Sequence, residues 1–333
     1  MITVTGANGF IGSNVVRALR DRNGQDVLAV DVLPSIRTRT SPVMNASEVR
    51  YELPHPTVSW LDMDALPQWL AAGRANIHGI VHLGALSDTT LTDRDLVLRH
   101  NLEYTRTLWK WATAARCPML YASSAATYGD GTRGYSDEDD PAQFAPLNLY
   151  AESKHHFDLW ALKQKQSPPR WVGLKFFNVY GPGETHKGHM ASVAFHAFYQ
   201  LRQSGRIRLF RSHREGVPDG HQKRDFIYVA DAVDATLHFL TTPPTENAPN
   251  GLYNIGTGMA RTFHDVARAV IAAAGGHGQI EYFDMPEHLR ARYQYFTQAT
   301  VTKLRRAGYT RGMFGIEAGI ARYVANLAAA RAA

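Results

Sequence analysis

A tyrosine and a lysine, Tyr150 and Lys154, stand four residues apart in the stretch LNLYAESKHHF (147–157). On a helix that spacing puts both side chains on one face, a phenol beside an ammonium. A phenol titrates near pH 10 and is a poor base at neutral pH unless a nearby cation stabilises its phenolate. Taken alone, the pair is what many surface helices offer. It gains chemical meaning when other elements bring a hydroxyl donor and a redox cofactor to the same place. The stretch YASSAATYG (121–129) supplies the hydroxyls, with Ser123, Ser124 and Thr127 at the end of an apolar run. A serine there can hold a substrate oxygen beside the phenol.

The cofactor signal lies in the first residues. MITVTGANGFIGSNVVRALRDR reads as a short buried strand, a glycine-rich turn and an amphipathic helix, with Gly6, Gly9 and Gly12 spaced G-x-x-G-x-x-G. Glycines permit positive φ and close backbone approach, and a helix start offers free N–H groups to a phosphate. The run DVLAVD then ends a second strand on Asp31, nineteen residues after Gly12, where a carboxylate can bind the adenosine ribose hydroxyls. Asp31 argues for NAD. Arg37 and Arg39, just downstream, suit a 2′-phosphate and argue for NADP. Both choices stay open on these residues.

Further apolar runs follow at 58–62, 79–85, 119–126 and 171–179, separated by helical patterns near 63–72, 94–115 and 148–166. Strands this apolar, alternating with helices, predict an α/β fold with a doubly wound parallel sheet covered on both faces. In such a sheet the strand ends and helix starts line up along one edge, where ligands bind. The alanine-rich tail ANLAAARAA reads as a final helix.

Composition narrows the classes. With 44% hydrophobic and 20% charged residues, the balance is that of an ordinary globular protein. No run reaches the ~20 apolar residues of a membrane span, and the first residues lack a secretory pattern. The single cysteine, Cys117, heads an apolar run and reads as a core residue, consistent with a cytoplasmic location. A net charge of +6 could mean nucleic acid, but the basic residues form local clusters and no long stripe, which suits a small anion better. The fifteen histidines show no metal-ligand spacing, so no metal is expected.

Together the glycine turn, the acidic strand end, the serine strand end and Y-x-x-x-K resemble the extended short-chain dehydrogenase/reductase family over almost the whole chain. NVYGP (178–182) and RDFIYVAD (224–231) are features of its sugar-nucleotide branch. YASSAATYG, HKGHMASVAFH (186–196) and ARYQYFTQA (291–299) are similar to the ADP-heptose 6-epimerase group. That resemblance implies a Rossmann-type sheet with a smaller, mostly helical substrate-binding domain. Residues 1–177, with a returning segment at about 225–258, would bind the dinucleotide, and 178–224 with 259–333 the sugar. It implies Tyr150 and Lys187 as the two proton-transfer groups, with Ser124 and Lys154 in support. It places Gly6, Gly9, Phe10, Ile11, Gly12, Asp31, Val32, Arg37, Leu83, Gly84, Ala85, Ser87, Asn101, Lys154 and Val179 on an NADP or NAD cofactor. Asn178, His189, His196, Phe210, Ser212, Arg224 and Tyr293 would contact the ADP-heptose. A homo-oligomer is the family's habit. The loop RSHREGVPDGHQ is longer than the family's usual one, and His189 stands where a small hydroxyl is expected. A 4,6-dehydratase is disfavoured because SSAAT offers no acidic pair beside the catalytic hydroxyl. A sugar-nucleotide 4-epimerase remains the enzyme rival. An idle dinucleotide-binding regulator would not need the intact Tyr, Lys and Ser.

Overall fold

Ile2–Thr5 form strand β1 with all four side chains buried. The glycine turn follows, then helix α1 (Phe10–Asn23). The computed structural model describes residues 1–32, 57–73, 76–290 and 293–330. Strands β2 (Val27–Asp31), β3 (Val58–Asp62) and β4 (Gly79–His82) come next, with α2 (Leu66–Ala71) between the last two. After β4 the chain forms α3 (Arg94–Leu98), a π turn (Arg99–Glu103) and α4 (Tyr104–Ala114). Strand β5 (Met119–Ser124), helix α5 (Leu149–Leu162) and strand β6 (Trp171–Phe176) complete the amino-terminal half.

The continuous strand expected at 171–179 is broken. Phe177 donates its N–H to Ile255 at 3.0 Å and accepts from Val179 at 2.8 Å. The chain bends there, and β7 (Asn178–Tyr180) leaves for another sheet. Helix α6 (Val193–Ser204), β8 (Arg206–Phe210), β9 (Lys223–Tyr228), α7 (Val229–Thr241), β10 (Gly251–Ile255), β11 (Ala260–Thr262), α8 (Phe263–Ala273), β12 (Gln279–Phe283) and α9 (Ile316–Ala329) follow. The final helix thus starts well before the alanine-rich tail.

The main sheet has seven strands in the order β10-β6-β5-β4-β1-β2-β3, and every pairing is parallel. The order reverses between β1 and β4, which opens a crevice at their carboxyl ends. β10 joins this sheet beside β6. Strand β9, which the sequence reading included in the returning segment, pairs instead with β7 and β11 in a three-stranded sheet. β8 and β12 form a separate parallel pair.

Among the described residues, three of the four apolar clusters cover the sheets' faces. One packs Val15 and Leu19 of α1 and Phe239 of α7 against Val4, Val81 and Leu174. The second surrounds Trp109 and Phe157 on the opposite face, and includes Cys117. The third joins Phe198, Val270 and Ile320 from α6, α8 and α9 to Ile207 and Phe226. Each such side chain contributes roughly 1.5–3 kcal/mol.

A directed polar chain ties the two halves of the crevice together. His82, at the end of β4, is 1% exposed; its Nδ1 lies 2.6 Å from Thr5 Oγ1 and its Nε2 2.9 Å from Thr105 Oγ1. The Thr105 hydroxyl donates to the Asn101 carbonyl at 2.7 Å. Its proton is therefore committed, and Nε2 of His82 must be the donor. Nδ1 accepts from Thr5, whose oxygen accepts the Gly84 N–H at 3.2 Å. Only a neutral ring fits. Burial, followed by the charge of Lys154, pushes His82 down to about 3. The π turn presents Asn101, whose Oδ1 accepts from Leu86 N–H at 2.8 Å and whose Nδ2 donates to the Leu86 carbonyl and to Ser153 Oγ, both at 3.0 Å. Ser153 in turn donates to the Tyr150 carbonyl at 2.7 Å. An uninterrupted helix over 94–115, as read from sequence, gives way here because the π turn is integral to this chain of bonds.

Two expectations follow. Thr105→Val keeps the shape but strands the His82 donor; it should cost about 1–3 kcal/mol in denaturant unfolding, with Thr105→Ser restoring stability. Gly12→Ala would place a Cβ 1.9 Å from the Gly6 carbonyl oxygen. It should destabilise by about 1–3 kcal/mol because the turn must move, seen as a lowered melting temperature.

Candidate active site

Why the first turn is built of glycine is a matter of space. Gly6 has φ +66°, and a Cβ there would lie 2.6 Å from the Gly84 nitrogen. The backbones of the glycine turn and the loop after β4 touch directly, bringing Gly6, Leu83 and Gly84 together. Gly9 ends the turn as the N-cap of α1 with no capping side chain, and the first turn of α1 has no acidic residue. The helix start is left to an anion. Asp31 is 9% exposed; its Oδ2 accepts from Asn8 N–H at 2.8 Å and its Oδ1 from Val32 N–H at 2.7 Å. These bonds hold the carboxylate at the strand end where a ribose would lie. A glycine cradle, an uncapped helix start and an anchored carboxylate fit a dinucleotide. Ile11 and Ala85 are half-buried and Ser87 is exposed. Arg37 and Arg39 lie outside the described residues.

Helix α5 starts where it does because Asn148 Oδ1 accepts the Ala151 N–H at 2.9 Å. Tyr150 then falls in the first turn and Lys154 one turn later. The Ser124 side chain acts on the Tyr150 phenol, lowering its titration point. Ser124 Oγ also accepts the Ala126 N–H at 3.1 Å, which fixes its rotamer. The sequence reading expected the ammonium, together with the positive ring of a bound nicotinamide, to lower the phenol's titration point. The protein chain by itself does the reverse: burial raises it most, Ser124 lowers it, and the Asp158 charge raises it again. Lys154 is itself brought down to about 8, chiefly by burial, with Asp158 opposing. Burial outweighs charge proximity in the protein alone.

Lys187 sits in a turn that spans Thr185–Met190. Its Nζ is 5.2 Å from the Phe10 ring centroid, so it stands over the start of α1. Burial lowers its titration point and Glu184 raises it. The sequence reading missed Glu184, which is 0% exposed. Its carboxylate accepts from Gly181 N–H at 3.2 Å, Ser192 N–H at 2.5 Å and Ser192 Oγ at 2.7 Å. Asn14 of α1 donates to the Pro182 carbonyl at 2.8 Å. The lysine-bearing loop is thus fastened to the glycine-turn helix. At its rim His189 Nε2 lies 3.9 Å from Asp88 Oδ2, facing the loop after β4.

A second group gathers further out. The Arg224 guanidinium is 5.2 Å from the Tyr293 ring, and Tyr293 lies 6.1 Å from Phe210 edge-on. An ion pair between Arg224 and its neighbour Asp225 was the ordinary alternative. Asp225 instead accepts from Thr257 Oγ1 at 2.6 Å, Thr257 N–H at 2.8 Å, Gly258 N–H at 2.9 Å and Ala299 N–H at 3.0 Å. The two side chains leave β9 on opposite faces. Arg224 is 8% exposed, and among the described residues no carboxylate pairs with it. A buried guanidinium between aromatic rings suits a diphosphate. Asn178 is exposed on β7 and Val179 packs on the main core beside it; His196 is half-buried on α6. Ser212 is occupied within its own loop, donating to the Arg214 carbonyl at 3.1 Å, and does not join this group.

The sequence is matched over residues 2–256 by the model of the NAD dependent epimerase/dehydratase family. A protein of Fusobacterium nucleatum named ADP-L-glycero-D-manno-heptose-6-epimerase is 43% identical over 98% of this chain and 97% of its own length. One of the same name from Nitratidesulfovibrio vulgaris is 42% identical over 99% of this chain and 98% of its own. The crystal structure of Helicobacter pylori ADP-L-glycero-D-manno-heptose-6-epimerase superposes with a TM-score of 0.79 at 25% identity, covering 98% of this chain and 96% of that one. Fold, crevice and full-length likeness agree, and the chain belongs to the NAD dependent epimerase/dehydratase family, in the branch of the ADP-L-glycero-D-manno-heptose-6-epimerases.

Proposed function

We propose that the protein inverts C6″ of ADP-D-glycero-D-manno-heptose to give ADP-L-glycero-D-manno-heptose, a step of lipopolysaccharide inner-core biosynthesis. The observation that supports this most is the pairing of two proton-transfer groups on separate elements around one cofactor cradle. Tyr150, in the first turn of α5, is acted on by Ser124 at the end of β5, and Lys187 stands over Phe10 at the start of α1. A bound nicotinamide supplies a hydride acceptor at C6″ and a donor that returns it. The chain's own groups handle the protons. Tyr150 exchanges one with the C6″ oxygen on one face, Ser124 steadies that oxygen, and Lys187 serves the other face. Inversion needs either the ketone intermediate to turn or acid/base groups on both sides, and Tyr150 with Lys187 would meet the second need. Arg224, between Tyr293 and Phe263, holds the diphosphate, and Phe210 with Tyr293 borders the nucleotide.

NADP is the finer assignment of the nicotinamide cofactor. Its support is Arg37 and Arg39, which follow Asp31 in sequence and suit a 2′-phosphate, whereas Asp31 itself argues for NAD.

Purified protein incubated with ADP-D-glycero-D-manno-heptose should yield the second C6″ epimer by chromatography; no conversion, with turnover of a UDP-hexose, would defeat the assignment. Tyr150→Phe and Lys187→Met should each lower kcat by about 10²–10⁴-fold while cofactor stays bound. Near-normal turnover in Lys187→Met would show that one residue serves both faces. Arg37→Ala with Arg39→Ala should weaken NADP by roughly 10-fold or more in titration calorimetry and leave NAD unchanged; equal loss for both would favour NAD.

A further inference from the structure

Beneath the Tyr150–Lys154 pair lies a charge that these proton transfers do not use. Asp158 follows Lys154 by one more turn, so Tyr150, Lys154 and Asp158 share one face of α5. Asp158 is 0% and Lys175, on β6, 1% exposed, with Nζ 2.9 Å from Oδ2. The Tyr121 hydroxyl donates to Asp158 Oδ1 at 2.9 Å and the Ser123 hydroxyl to Oδ2 at 2.6 Å. From Lys175 a second route leads out. Nζ donates to Thr127 Oγ1 at 2.6 Å, and Thr127 donates to the Ser124 carbonyl at 2.7 Å. The pair therefore reaches the catalytic groups twice, through the helix to Tyr150 and Lys154, and through Thr127 to Ser124. Apolar residues of similar volume stabilise a core as well as a buried ion pair or better. Stability alone does not call for two charges here.

We propose that Asp158 and Lys175 are positioning residues: the pair locks the Ser124 strand end against the Tyr150 helix and sets the charge on the helix face that Tyr150 and Lys154 share. This rests on the reading of Tyr150 as a proton-transfer group. The charges around it agree. Asp158 raises the titration points of both Tyr150 and Lys154. From the other packed elements, Ser124 of β5 opposes the rise in Tyr150, and His82 of β4, facing Lys154, is held neutral. His155 on the same helix is held down chiefly by burial, and Lys175 also lowers it. Tyr121 and Tyr128 are both raised, chiefly by burial, with Asp158 adding to it. The His189–Asp88 pair lies out on the rim, its histidine 71% exposed.

The two arms separate by mutation. Protein labelled with [ζ-¹³C]tyrosine and loaded with oxidised cofactor would be titrated by NMR, the Tyr150 resonance being assigned with Tyr150→Phe. Asp158→Asn, and Asp158→Asn with Lys175→Met, which removes both charges, should each lower the Tyr150 midpoint by about one pH unit. Asp158→Glu should restore it. Thr127→Val should leave the midpoint in place but reduce kcat by roughly 10-fold at unchanged KM. A midpoint within about 0.2 unit of wild type in whichever Asp158 variant folds would overturn the proposal. If Tyr150→Phe turned over normally, the functional reading itself would fail, a separate result.

Discussion

No side chain fits where the turn after β1 meets the loop after β4. A Cβ at Gly6 would lie 2.6 Å from the Gly84 nitrogen, and one at Gly12 would lie 1.9 Å from the Gly6 oxygen. Close packing of bare backbone sets the crevice at the reversal of strand order, and everything that meets there takes its position from it. Asp31 is oriented by the turn's Asn8 N–H. The lysine-bearing loop is held to the same helix through Asn14 and Pro182. A shift of the turn would move the glycine cradle and the Lys187 loop together.

Around that contact the polar side chains of the core act as directed connections. His82, Thr5, Thr105, Asn101 and Ser153 run from the glycine turn to the backbone of Tyr150, each proton committed to one acceptor. Asp158, Lys175, Thr127 and Ser123 do the same for the strand end that bears Ser124. Such networks are stabilising only when every member is satisfied, and then they specify one arrangement. The active site therefore sits between two rigid polar seams.

Much of this was readable from sequence. The glycine spacing with a strand before it, the alternating apolar runs and Y-x-x-x-K are local patterns, and local patterns fix local structure. What escaped depended on partners far along the chain. The bend at Phe177 requires Ile255, and the π turn depends on contacts to Leu86 and Ser153. Glu184 was not singled out, because its role depends on Gly181 and Ser192 closing on it. The lowering expected for Tyr150 rested on Lys154 and a bound nicotinamide together; in the protein alone burial raises it, and spacing reveals a neighbouring charge but not that depth. Arg224 was read as a ligand contact, with an ion pair to Asp225 as the alternative; strand geometry sends the two to opposite faces, and Asp225 bonds Thr257, Gly258 and Ala299 instead.

The neutral His82 also links the seam to proton activity in the medium. An unfolded chain takes up a proton at this ring near pH 6.5, whereas the folded one resists until about 3. Above that upper value the linkage is silent. Below it, each unit of acidification favours the denatured ensemble by about 1.4 kcal/mol until the lower value is reached. The same enclosure that fixes the tautomer therefore makes mild acid a global threat to the fold, while molecules that stay folded retain an undisturbed catalytic scaffold.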